Sequence, residues 1–163
     1  MRLVLATCAL FGVVLLGACA SAGKPGERAG ITARFHLESS DGEGLPAVLP
    51  RSGVALRLNP KPVLTEADIA GADVAEVELG RCLLLTLTPA AGRDLYRLSV
   101  AHQGRRMALQ LDGAFIGARR IDGPISDARV FIFLELPDEA LPGVVAELRK
   151  AAAAIRKKTG DKR

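Results

Sequence analysis

Asp112-Gly113 lies between two runs of alternating residues. Met107, Leu109 and Leu111 share one face of the run before it, and Ala114 to Ile121 follows. An Asp-Gly pair in that setting accepts the positive φ angles of a two-residue turn, so the spacing predicts an antiparallel hairpin over residues 105–121. This feature commits the chain to sheet structure. The remaining sequence must supply partner strands and an apolar layer to cover them.

Ile31 to Glu38 alternates with period two and reads as a half-buried strand, with His36 on its polar face. Ser39 to Pro50 carries Gly and Pro breaks and is expected as a loop. Val54 to Leu58 is a second strand, closed by Asn59-Pro60-Lys61-Pro62. Thr65-Glu66-Ala67-Asp68 suits a helix start with Thr65 as its cap, and that short helix should stop near Gly71. Strands at 73–79 and 81–88 join through Gly80. Pro89 opens a longer helix with Leu95, Leu98 and Ala101 on its apolar side, ending at Gly104. Arg129 to Leu136 is almost continuously apolar and is expected as a central strand. Leu141, Val145, Leu148, Ala152 and Ile155 repeat as the buried stripe of a last helix that ends at Gly160. The order predicts an α+β two-layer sandwich, an antiparallel or mixed sheet with helices packed on one face.

The first 18 residues follow the plan of an export signal: Arg2, an apolar stretch from Leu3 to Leu16, then small residues. Leu16-Gly17-Ala18-Cys19 resembles the lipobox of bacterial lipoproteins, which implies that Cys19 becomes a diacylated N-terminus after cleavage. An ordinary secretory signal cut near Ala20 or Ala22, or a retained membrane anchor, are the alternatives. Residue 20 is Ala rather than the Asp that retains lipoproteins in the inner membrane of enteric bacteria, which points to the outer membrane in a Gram-negative host. The organisation expected is therefore a signal over 1–18, a lipidated Cys and flexible tether over 19–30, a folded domain over 31–158 and a basic tail over 159–163. Of the three cysteines, Cys8 leaves with the signal and Cys19 takes lipid. Cys82 alone remains, in an apolar run that reads as core.

The net charge of +4 is unevenly placed. Arg149 to Arg163 holds seven Lys/Arg and one Asp, so the folded body is slightly acidic. Such a tail either touches anionic lipid or phosphate, or stays solvated. An exported, acidic body with 4% aromatics excludes nucleic acid as the expected partner.

The order of signals is also similar to the P1 head subdomain of the SecD/SecDF family. Leu64-Thr65-Glu66-Ala67-Asp68-Ile69 precedes a strand pair, Leu87-Thr88-Pro89-Ala90-Ala91-Gly92-Arg93 takes a strand into a helix, and Gly104 to Gly113 carries the first strand and turn of the hairpin. The resemblance spans about Val54 to Leu136. It implies the α+β head fold and a periplasmic role linked to protein export. Arg119 stands where the family pattern has a proline, and Ile125-Ser126-Asp127-Ala128-Arg129 lacks its glycine.

No catalytic or metal-binding motif accompanies His36 or His102, and no phosphate loop is present, so no cofactor is expected. The acidic Asp41-Gly42-Glu43-Gly44 segment has too few ligands for a calcium site and reads as a turn. Arg105, Arg106, Arg119 and Arg120 flank the hairpin and are the candidate interaction surface, either for an acidic partner or as charges that guard an edge. The expectation is a non-enzymatic, lipid-anchored periplasmic binding or accessory module, with the membrane reached through Cys19 and an unidentified envelope protein as partners. The alternative is a small envelope enzyme whose active site the sequence does not display.

Overall fold

The computed structural model describes residues 31–160. The expected export segment, Cys19, the expected tether and residues 161–163 lie outside the described residues. In chain order the elements are β1 (Ala33–Leu37), β2 (Leu45–Val48), β3 (Ala55–Leu58), a 3-10 turn (Glu66–Asp68), β4 (Ile69–Val77), β5 (Gly80–Leu87), α1 (Pro89–Ala101), β6 (Arg106–Leu111), β7 (Ala114–Arg120), β8 (Arg129–Ile132), a second 3-10 turn (Asp138–Ala140) and α2 (Leu141–Gly160). The strands form three antiparallel sheets, β1-β6-β7, β2-β3 and β4-β5-β8. The fold is α+β.

The hairpin forms as its turn residues dictate. Leu111 faces Ala114, and Asp112 and Gly113 take φ of 45° and 88°. Both values are left-handed, as a primed turn requires. The carboxylate of Asp112 also accepts from the Thr32 N–H at 2.8 Å, tying the start of β1 to the turn.

The two three-stranded sheets meet along β7 and the segment containing β8. The Glu135 N–H donates to Ile116 O at 2.6 Å, and Arg119 Nη1 donates to Phe131 O at 3.4 Å. Their inward residues share one core with both helices: Phe35, Met107 and Leu109 from the first sheet, Leu83, Leu85 and Val130 from the second, Leu95 from α1, and Leu141, Val145 and Leu148 from α2. The last-helix stripe is buried through Ala152, with Ile155 half-buried.

Five expectations need correction. The 39–50 segment is not wholly loop, because Leu45–Val48 pairs with β3. Pro46 hid this strand, yet among the described residues β2 has β3 as its sole neighbour and the proline disturbs no second ladder. The β2-β3 hairpin then covers the outer face of β1-β6-β7, packing Ala47, Leu56 and Leu58 on Ala108 and Phe115. His36 lies on that same face opposite Ala108, so it is buried rather than solvated.

The other corrections concern lengths and the basic tail. The Thr65 segment makes a single 3-10 turn and β4 begins directly at Ile69, with an irregularity between Ile69 and Gly71. β8 is four residues long and lies at the edge of its sheet. Its apolar run does not make it central: Phe131 is only half-buried, near the β7 seam, and Phe133 is exposed. The cations of α2 are not all free. Arg149 donates to Ala72 O at 2.7 Å and pairs with Asp73, and Arg156 Nη1 donates to Ala70 O at 2.7 Å. Both satisfy carbonyls of β4, an edge strand that would otherwise present them unpaired.

Candidate functional site

α1 supplies one wall of an open trough. The Thr88 hydroxyl accepts from the Ala91 N–H at 3.3 Å, and Pro89 occupies the first turn, where its missing N–H costs nothing. Ala91, Leu95 and Ser99 repeat every four residues and point into the fold. The opposite side carries Arg93, Tyr96, Arg97 and Val100, with Tyr96 46% and Val100 47% exposed.

Ser99 fixes the other wall. It is fully buried; its hydroxyl donates to Tyr96 O at 2.9 Å and accepts from the Ile125 N–H at 2.9 Å. This pins the chain leading to Ala128 against the helix. Ala128 takes φ of 55°, a left-handed conformation uncommon for a residue with a side chain. A Cβ placed on Gly92 would sit 2.6 Å from the Ala128 methyl carbon, so glycine at 92 lets the loop touch the helix. The resulting trough has a volume of about 540 Å³ and is lined by Gly92, Arg93, Tyr96, Arg97, Ser126 and Ala128. Arg97 pairs with Asp94 at 3.3 Å, and Arg93 has no carboxylate partner among the described residues. Apolar carbon with guanidinium groups at the margin suits an extended, partly apolar chain bearing carboxylates or free carbonyls.

Sequence reasoning did not single out this trough. Its available signal was Gly92 inside a helical pattern, which marks a close approach. Tyr96 and Ser99 carried no signal of their own.

The four hairpin arginines gather at one end of β6 and β7, remote from the Asp112 turn. Arg106 and Arg120 are directly opposite each other. Each has its own counter-charge: Arg106 pairs with Glu38 at 3.7 Å and Arg120 with Asp122 at 3.6 Å. Arg105 Nη1 donates to Glu38 O at 3.5 Å. Arg119 stands opposite Met107 in the ladder and reaches across the seam to Phe131 O. The arginines are thus brought to one end but divided between two faces of the hairpin.

The histidines stand apart. His36 donates from Nδ1 to Asn59 O at 2.9 Å, its Nε2 has no partner among the described residues, and its ring meets Phe115 edge-on at 5.7 Å. The carbonyl can only accept, so Nδ1 carries the proton. His102 caps the C-terminus of α1. Cys82 is fully buried, and burial pushes its thiol up, away from the reactive thiolate. At Asp41 the Ser39 hydroxyl and the Glu43 N–H hold the carboxyl below its ordinary range, which makes the acidic segment a hydrogen-bonded turn. Among the described residues no cluster of His, Cys, Asp and Glu could hold a metal ion.

No family model matches the chain, and no curated protein matches it by sequence. Solved structures do match. A SecDF structure described as a membrane component that enhances protein export aligns with a TM-score of 0.58 at 21% identity, covering 74% of this chain and 62% of that one. SecDF in its super-membrane-facing form gives 0.58 at 21% identity over 74% of this chain and 19% of the other. SecDF of Thermus thermophilus, a translocon-associated membrane protein, gives 0.51 at 21% identity over 76% and 20%. The chain spans less than two thirds of the length of each of these proteins. The match extends beyond the Val54 to Leu136 stretch that carries the sequence resemblance, and over the matched share this chain has a SecDF-like fold.

Proposed function

We propose that the chain is a lipid-anchored accessory module of the bacterial cell envelope. In this reading Cys19 holds it on the periplasmic side, with the outer membrane as its site in a Gram-negative host, and it holds stretches of polypeptide during protein export. The observation that carries the reading is the trough along α1, whose apolar floor and marginal Arg93 and Arg97 suit an unfolded chain better than a compact metabolite. The SecDF-like fold supports it, since one matching structure is of a protein that enhances export. No helix among the described residues is long and apolar enough to cross a membrane, and attachment is assigned to the lipid on Cys19. Neither catalysis nor a cofactor enters this reading.

A photoreactive residue at Tyr96 in the lipidated chain tests it. Irradiation of intact cells should yield adducts with exported polypeptides, and the same probe at the exposed Lys150 on α2 should not. Equal yields from the two positions would remove the trough from the reading. Anchoring is checked separately: Cys19→Ala should leave the leader uncut or release the chain from membranes. A processed Cys19→Ala chain that still sediments with membranes would defeat the lipid assignment.

A further inference from the structure

The start of β1 and the last turns of α2 lie at the same end of the domain. The Ala33 N–H donates to Glu66 Oε2 at 3.3 Å. Glu66 opens the 3-10 turn that runs straight into β4 at Ile69. One residue into that strand, Ala70 O accepts from Arg156 of α2 at 2.7 Å. Arg105, Arg106 and Arg120 mark the other end, beside Glu38 just past the close of β1.

Both signs of charge are present at the α2 end, and they differ in what they bond. Its carboxylates are turned onto the fold's own donors: Glu66 onto Ala33, Asp68 onto the N–H and hydroxyl of Thr65 at 2.8 and 3.0 Å, and Asp112 onto the N–H and hydroxyl of Thr32 at 2.8 and 3.2 Å. Lys157 and Lys158, in the last turn of α2, are exposed and have no carboxylate partner among the described residues. Lys162 and Arg163 follow in the sequence against a single Asp161.

The geometry points to this end as the face that the domain sets on an anionic phospholipid surface, with Lys157 and Lys158 against the headgroup phosphates. The inference rests on the anchoring at Cys19. Eleven residues separate Cys19 from Ile31. Fully extended they reach about 40 Å, so the bilayer that holds the lipid is within range of the two lysines. An acyl anchor and a basic patch on one membrane reinforce each other, and each cation near an anionic surface adds to the attraction. Docking in this way also orients the trough. The first turn of α1 sits at the same end, since Thr88 N–H donates to Asp68 O at 2.8 Å, so docking brings the Pro89 end of the trough wall toward the bilayer.

The test uses the full lipidated chain with a polarity-sensitive fluorophore at Thr159→Cys, and at Gly123→Cys as the far-end control, where a side chain meets open space. Cys82 is buried and should escape labelling. In phosphatidylglycerol vesicles the Thr159→Cys label should shift to the blue, and in pure phosphatidylcholine it should not. High salt should reverse the shift. Adding K157Q and K158Q should reduce the docked population on the order of tenfold. A shift independent of phosphatidylglycerol, a shift that survives the two substitutions, or an equal shift at Gly123→Cys overturns the inference. If mass analysis finds no diacylglyceryl group on Cys19, the anchoring reading fails instead. Co-sedimentation of the unlipidated chain with phosphatidylglycerol vesicles then decides the patch: dependence on Lys157 and Lys158 supports it, and independence overturns it.

Discussion

Glu135 holds Ser52 across 83 residues of sequence: Oε2 accepts from the Ser52 N–H at 2.9 Å and Oε1 from its hydroxyl at 2.5 Å. The Arg51 N–H adds a third bond at 2.7 Å, and the Arg51 side chain reaches Leu136 O at 3.3 Å. Because the Glu135 backbone is itself bonded to Ile116 of β7, the turn of the β2-β3 hairpin is latched to the seam between the two larger sheets. The cover over His36 therefore depends on a carboxylate far away in sequence.

Glu135→Ala should cost about 1–2 kcal/mol, since three donors at a partly exposed site lose their acceptor and return to water. Hydrogen exchange should quicken at Leu56 and Ala47 before it quickens in α2. The pH dependence has a definite sign. Burial pushes the Glu135 carboxyl up, but the Ser52 hydroxyl and the Ser52 and Arg51 N–H groups outweigh it and hold the carboxyl below its ordinary range. A depressed acid contributes stability above its unfolded value, and that contribution is lost as pH falls below about 4. Thermal melts from pH 7 downward should show the acid-side loss reduced in Glu135→Ala. Identical acid profiles for the two chains would mean that the latch is energetically silent.

Leu148 sits at the centre of the α2 stripe and is 1% exposed. Leu148→Ala should destabilise the domain by about 2–5 kcal/mol, the range for a core leucine that leaves a cavity. Chemical denaturation would measure it. A loss below about 1 kcal/mol would mean that α2 is only loosely docked.

The basic segment divides into two kinds of residue. Arg156→Ala removes the donor to Ala70 O and should lower stability on the order of 1 kcal/mol. K157Q with K158Q removes two exposed charges and should leave the melting temperature within error. Equal effects from the two changes would contradict the distinction drawn from the hydrogen bonds.

Gly92→Ala tests the trough wall. The new methyl would meet Ala128 at 2.6 Å, so the loop must move or the helix must tilt. The expected cost is about 1–3 kcal/mol, as for overpacking elsewhere. Photoadduct yield at Tyr96 should fall with it. Wild-type stability and unchanged yield together would show the loop to be free of the helix.

Several elements were legible because their causes are local. Asp112-Gly113 set its own hairpin through two left-handed residues, Pro89 opened α1, and the four-and-three spacing from Leu141 to Ala152 named the buried face of α2. Cys82 read correctly as core from its apolar neighbours. The SecD-like order of motifs announced the fold for the same reason, since each motif is a short-range turn or helix start.

What the sequence could not express depended on partners far along the chain. His36 alternates as a polar-face residue, and only the covering hairpin makes it buried. Arg156 looks like any tail cation until β4 presents the Ala70 carbonyl at its edge. The candidate trough exists because Ser99 anchors a loop that returns 26 residues later, and because Gly92 leaves room for Ala128. Local spacing determines which face a side chain takes within its own strand or helix. Whether that face meets water, another sheet or a hydrogen-bond acceptor is decided by elements that packing brings together, and single-residue periodicity carries no record of them.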